Sequence, residues 1–257
     1  MNNKFSFYDD VEGFERYLNF PVGALRNIPI YARKAAIDAI LKVRDMEKAS
    51  IFRPGLYYIV LADLCSNTAF NAKYGDEEGN VRIEWFQTAA IEAIGEISVR
   101  NYVAFSKTIG DASLLIFSSF QDVFEWSERF SQNLSGFSQE YPGNLTRRGI
   151  LTNQTEESLD DMIQDFELRA RRLVHLGEVS FKEYSDPLCL AVSQTFKIEK
   201  EFSKTDLGCT QAVADAVRPK LPTLGVQLYE NRKVKIPGIE NEVMTYYIKK
   251  QMNKTIL

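Results

Sequence analysis

Apolar positions follow two rhythms along this 257-residue chain. Leu56 to Leu61, LYYIVL, is a short uninterrupted run rich in β-formers and predicts a buried strand. Arg100 to Lys107 and Ala112 to Phe117 predict two more strands, joined by a tight turn at Thr108-Ile109-Gly110-Asp111. Ile83, Phe86, Ala90, Ile91 and Ile94 recur at helical spacing within Val81 to Ile97, as do Phe120, Val123, Phe124 and Phe130 within Phe120 to Phe130. Leu168 to Phe181 reads as two strands broken at Gly177. Leu188 to Phe202 reads as a helix, and Thr210 to Val217 as a shorter one stopped by Pro219. Strands close the chain around Leu224 to Leu228, Lys233 to Ile236 and Val243 to Ile248.

Polar stretches separate these elements. CSNTAFNAKYGDEEGN after the first strand reads as a loop, and Gln132 to Glu157 reads as a loop or insertion. Arg53-Pro54-Gly55 sets off residues 1–54 as an N-terminal helical arm. Within it, Asp9 to Leu18 is weakly helical, and Pro21 and Gly23 interrupt. Tyr31 to Lys48 then places Ala35, Ala36, Ile37, Ile40, Leu41 and Val43 at helical spacing among Lys and Arg. That amphipathic helix suits packing on the core, a dimer contact or an effector contact. Residues 55–257 form the main domain. The order β-α-β-β-α-β predicts an α+β fold, a ferredoxin-like split βαβ core with C-terminal additions.

Composition narrows the function classes. Hydrophobic residues make up 45% and charged residues 26% of the chain, an ordinary globular balance. The net charge of −4 argues against a general nucleic-acid surface. Cys65, Cys189 and Cys209 are far apart and odd in number, so no disulfide or zinc framework is visible and a reducing, cytoplasmic setting fits. The polar N-terminus has no signal-like apolar segment, and no apolar run approaches the roughly 18 residues that cross a bilayer. Any membrane role therefore requires a partner.

Asp63 ends the first strand and Asp111 sits in the hairpin turn. A split βαβ fold places the first strand beside the hairpin, so the two carboxylates converge at one sheet edge. Paired carboxylates there suit Mg²⁺ or Mn²⁺. Each also has a plain structural use, as a loop cap or a turn residue. Cys65, Ser66, Asn67 and Thr68 supply backbone N–H groups and small polar side chains of the kind that cradle phosphates, without a Walker pattern. Tyr57 and Tyr58 are core or sheet-face residues. The basic run Arg169, Arg171 and Arg172 reads as a solvated or interface feature. Trp85 and Trp126 read as packing residues, and the single histidine, His175, as structural.

Several segments together resemble the class III nucleotidyl cyclase family. LADLCSNT, with Asp63 and Thr68, is similar to its first-strand metal motif, and KTIGDASLLIF, with Asp111, to its hairpin motif. LVHLGEV, DPLCLAVSQTFK, CTQAVADAV and IPGIENEVMTYY follow in the family's order, from about Tyr57 to Tyr247. The resemblance implies two divalent ions per site, Mn²⁺ or Mg²⁺, with Asp63, Leu64 and Asp111 as metal-ligand positions. It implies base reading by Lys107 and Asp186; one of Tyr57 and Tyr58 could stack on the base, while Arg169, Arg171 and Arg172 keep a solvated or interface reading rather than a triphosphate contact. Ser193 and Lys197 stand where the family has its transition-state Asn and Arg. It also implies a homodimer with composite sites acting on a nucleoside triphosphate, with neither nucleic acid nor direct membrane insertion.

Three departures stand out: Ser193 with Lys197, Leu188-Cys189 in place of Trp-Gly, and Ile239 near the family's phosphate-binding Lys, where Lys233 or Lys235 could substitute. With these, the chain looks like the bacterial pyrimidine cyclases of the Pycsar anti-phage systems, which signal to a separate effector. That implies UTP as substrate. An adenylate cyclase is the alternative, because Lys107 with Asp186 matches an adenine-reading pair, and an inactive nucleotide sensor is a second.

Overall fold

The computed structural model describes residues 55–97, 103–147, 165–180, 187, 189–202, 205–236 and 238–250. The arm read at 1–54 and Asp186 lie outside the described residues. In chain order the elements are β1 (Gly55–Leu64), α1 (Asn67–Tyr74), α2 (Asp76–Ile97), β2 (Val103–Ile109), β3 (Ala112–Phe117), α3 (Phe120–Arg147), β4 (Ala170–Val179) and α4 (Leu190–Glu199). There follow β5 (Leu207–Thr210), α5 (Gln211–Val217), α6 (Leu221–Leu224), β6 (Val226–Val234) and β7 (Val243–Lys250).

The strands form one sheet in the order β2-β3-β1-β4-β5-β7-β6. Read from the other side, β4-β1-β3-β2 is the split βαβ arrangement expected from the sequence, with all its neighbours antiparallel. β5 joins β4 in parallel, and the β6–β7 hairpin extends the sheet as the C-terminal addition.

Alternation along β1 sorts its side chains between two cores. Val60, Ala62 and Leu64 join Phe86, Ala90, Phe117, Phe120, Trp126 and Phe130 beneath α2 and α3. Tyr57 and Ile59 join Leu114, Ile116, Ala191 and Val192 beneath α4. Trp126 is fully buried, its indole N–H donates to the Ala90 carbonyl at 3.0 Å, and it stacks on Phe130.

Several expectations change. The stretches read as separate strands at Leu224 to Leu228 and Lys233 to Ile236 are one strand, β6, with a register shift between Glu230 and Lys233, and β5 is a strand that the pattern did not predict. The polar stretch after β1 contains α1, because Phe70 and Tyr74 pack on Phe166 at 5.0 and 4.8 Å between ring centroids. A distant aromatic contact outweighs the weak local pattern. The segment from Gln132 begins as a continuation of α3 to Arg147, where Leu134 is buried, Phe137 packs on Trp85 and Ser138 accepts from the Leu168 N–H at 2.8 Å. Gly177 does not break β4. It admits α4 instead: a Cβ there would stand 2.5 Å from the Ala191 Cβ.

Gly177→Ala should therefore push α4 off the sheet and cost about 1–3 kcal/mol, the usual range for overpacking. Urea unfolding checks this; an unchanged midpoint would show that α4 does not depend on the close approach.

Candidate functional site

Asp63 lies one residue from the end of β1, opposite Ala112 on β3 and Arg171 on β4. Asp111 immediately precedes Ala112, in a turn whose Gly110 has φ +60°. The Leu64 N–H donates to the Asp111 carbonyl at 2.9 Å, so backbone bonding joins the two aspartate-bearing segments.

α2 braces both loops from behind. Arg82, almost fully buried, donates to the Cys65 carbonyl at 3.1 Å and the Glu167 carbonyl at 3.2 Å, with its guanidinium over the Phe70 ring. Gln87 donates to the Gly110 carbonyl at 3.0 Å. Ser66, at the corner, has φ 60° and is the only non-glycine residue with positive φ among the described residues. Such a conformation costs on the order of 1 kcal/mol and persists only where its surroundings impose it. Asn67 is buried with no hydrogen-bond partner for its Oδ1, while Thr68 and Ser66 are exposed.

The structure adds two residues that the motifs did not single out. Arg171 reaches across from β4, and its Nη2 donates to Asp63 Oδ2. Its Nε stands 2.8 Å from Oε1 of Glu199, the last residue of α4. That contact is an ion pair not aligned as a hydrogen bond, since neither atom has a hydrogen-bond partner. Burial pushes the Asp63 carboxyl above its ordinary pKa; Arg171 opposes this and Asp111 adds a smaller push. Burial and then the Asp63 charge push Glu199 upward as well. Asp63 and Glu199 thus share one guanidinium, and Asp111 acts on both electrostatically.

The donor set fits such a cation. Asp63 and Asp111 offer hard oxygen ligands, and Leu64 can contribute only its backbone carbonyl. No group of three or more His, Cys, Asp or Glu side chains could hold a metal among the described residues. A site with two carboxylates leaves coordination positions for substrate phosphates, the usual arrangement for Mg²⁺.

Other sequence candidates divide between this face and elsewhere. Ser193 and Lys197 are exposed and one turn apart on α4, in one stripe with exposed Leu190. Lys107, half-buried on β2, pairs with Leu114, a member of the α4-side core. Tyr57 is buried in that same core rather than open to a base. Tyr58 points to the opposite face, against Phe120 at 5.8 Å, so the structure does not bring it to the aspartates. The expectation for Arg171 as a solvated or interface residue is corrected by its two carboxylate contacts. Its neighbours behave differently: Arg169 pairs with Glu167, and Arg172 donates to Ser127, Ser131 and Thr205. His175 is buried and hydrogen-bonds Thr210 at 3.0 Å, as a structural residue does. Lys235 donates to the Glu240 carbonyl.

Neither a protein-family model nor a curated protein matches the sequence. Solved structures do match. The guanylyl cyclase Cya2 aligns over 80% of this chain and 97% of its own, at 15% identity and a TM-score of 0.55. The fold is that of a class III cyclase domain. An adenylate cyclase structure from Trypanosoma brucei aligns over 76% of this chain and 89% of its own, at 15% identity and a TM-score of 0.54. The adenylyl cyclase CyaB from P. aeruginosa aligns over 78% and 97%, at 9% identity and a TM-score of 0.52. The cyclase fold therefore extends over most of the chain at identities where sequence alone is nearly silent. No helix among the described residues is long and apolar enough to cross a membrane.

The raised Asp63 pKa has a sign. The neutral form is favoured by folding, so its stabilising effect is complete below about pH 4 and is lost as pH rises through the raised value. Metal-free Asp63→Asn should melt no lower than wild type at pH 7, and the difference should close toward pH 4. Mn²⁺ at a hundredfold excess over its Kd should stabilise the wild type by about 2.7 kcal/mol and the variant far less. Thermal melts with and without MnCl₂ check both; equal Mn²⁺ shifts would contradict the assignment.

Proposed function

We propose that this protein is a metal-dependent nucleotidyl cyclase that converts a nucleoside triphosphate, preferentially UTP, to a 3′,5′-cyclic nucleotide and pyrophosphate. The observation that carries the reading is the convergence of Asp63 and Asp111 at neighbouring strand ends of a cyclase fold, where a divalent cation would relieve the repulsion between their carboxylates. Manganese or magnesium bound there would lower the pKa of the ribose 3′-hydroxyl and neutralise phosphate charge. The Cys65 N–H is taken by the Arg169 carbonyl at 2.8 Å, so the backbone from Ser66 to Thr68 receives the triphosphate, and Arg171, released from Asp63, grips its oxygens. The 3′-hydroxyl gives its proton to solvent water and its oxygen forms a bond to the α-phosphorus as the bond from that phosphorus to the bridging α–β oxygen breaks, and pyrophosphate leaves. Both ends of the reaction lie in one molecule, so positioning supplies much of the rate.

Lys197 stabilises charge on the phosphorane as a point charge, and Ser193 orients the ribose. Both face outward from α4, which supports a two-fold homodimer in which they serve the partner's aspartates. Exposed Leu190 beside them offers an apolar anchor for that contact. Lys107 and Asp186 read the base. A lysine donor and a carboxylate acceptor satisfy the carbonyls and N3–H of uracil. Adenine is the competing reading, since the same pair serves it. The departures at Ser193, Lys197 and Leu188-Cys189 favour the pyrimidine subgroup and its anti-phage signalling to a cyclic-nucleotide effector. All three cysteines carry free thiols, which supports action in the cytoplasm.

Incubation with each of four nucleoside triphosphates and Mn²⁺, followed by mass identification of products, should yield a cyclic nucleotide, cyclic UMP predominating when UTP and ATP compete equally. Asp63→Ala or Asp111→Ala should abolish it with the fold retained. No cyclic product from any of the four would refute the enzyme reading, and predominant cyclic AMP the pyrimidine preference.

Mixing inactive Asp63→Ala with inactive Lys197→Ala should restore activity, because one composite site in each heterodimer is whole. A monomer fully active at low concentration would rule out the shared site.

A further inference from the structure

The mechanism above leaves Glu199 without a use and does not account for the two partners of Arg171. Glu199 ends α4, is only 6% exposed, and directs Oε1 at the Nε edge of the guanidinium, 2.8 Å away. Asp63 takes a different part of the same group, Nη2. The arginine guanidinium has separate edges for two such contacts, whereas a lysine ammonium is a single point. A buried carboxylate left unpaired is costly, and Oε1 of Glu199 has no other partner among the described residues.

A divalent cation at Asp63 would compete directly with Nη2, because both need the same carboxylate. It would also repel the guanidinium. Held by Asp63 alone, Arg171 would then swing toward solvent, away from the place where phosphates arrive. The Nε edge lies outside that competition, held by a carboxylate on another element. α4 is fixed at its start by the close approach at Gly177 and by Ala191 and Val192 in the core, and at its end by Ile198, buried in a cluster with Leu173, Phe202 and Tyr247, so its last turn is a firm anchor.

We propose that Glu199 is the positioning residue of Arg171, retaining the guanidinium by Nε when a divalent cation takes Asp63 and leaving the Nη groups to bind the triphosphate. The inference rests on the cyclase reading of the site. It also makes α4 serve two half-sites: its inward Glu199 sets the metal half-site of its own protomer, while outward Ser193 and Lys197 meet the partner.

The test is calorimetric binding of inorganic tripolyphosphate with Mn²⁺ to the full chain, a probe with neither base nor ribose. Glu199→Gln should weaken binding about tenfold, roughly one charge-assisted contact. Arg171→Ala should weaken it at least as much, and the double variant no further than Arg171→Ala alone. Glu199→Asp, which keeps the charge, should stay within about threefold of wild type. Arg171→Lys, which cannot bridge two partners, should bind as poorly as Arg171→Ala and keeps the test open should Glu199→Gln fail to fold. Wild-type binding by Glu199→Gln or Arg171→Lys, or additive losses in the double variant, would overturn the role of Glu199 alone. If wild type itself did not bind Mn²⁺-tripolyphosphate, the triphosphate reading would fail and this inference with it.

Discussion

Charge compensation at the ends of β1 and β4 is the constraint on which the rest of the site depends. Asp63, Asp111 and Glu199 act on one another electrostatically, and burial already disfavours the charged forms of Asp63 and Glu199. Arg171 offsets part of that repulsion. Under the proposed function a hard cation takes over this role at Asp63 and the guanidinium is freed to bind phosphate.

The scaffold serves this arrangement from both sides. On one face, α2 and α3 bury a dense aromatic core, and α2 sends Arg82 and Gln87 forward to hold the loop after Asp63 and the turn before Asp111. On the other face α4 packs against Gly177, pointing Glu199 inward and exposing Ser193 and Lys197. A scaffold braced on both faces in this way suits the positioning catalysis proposed for it.

Much of this was legible in the sequence, and the physical reasons differ by residue. The buried run before Asp63 and the hairpin around Asp111 are local signals, so those strands and the split βαβ order could be read directly. α1 could not, because its stability comes from Phe166, almost a hundred residues away. The extension of α3 past Phe130 likewise depends on contacts with Trp85 and Leu168. Arg171 was hidden in a basic run whose members go three separate ways. Period-two alternation was the available signal: it separates Arg171 from Arg172, and the register of β4 against β1 then sets Arg171 opposite Asp63. Glu199 gave no comparable sign, since a glutamate at a helix end is ordinarily solvated. Tyr58 was weighed equally with Tyr57, although the same alternation turns it to the other face.

The most direct measurement of the central claim is a crystal structure with Mn²⁺ and 3′-deoxy-UTP, using anomalous scattering to locate the metal. The account expects manganese between Asp63 and Asp111, Arg171 moved from Asp63 onto the triphosphate, and Glu199 still holding its Nε edge. Manganese bound elsewhere, with Arg171 still on Asp63, would contradict it.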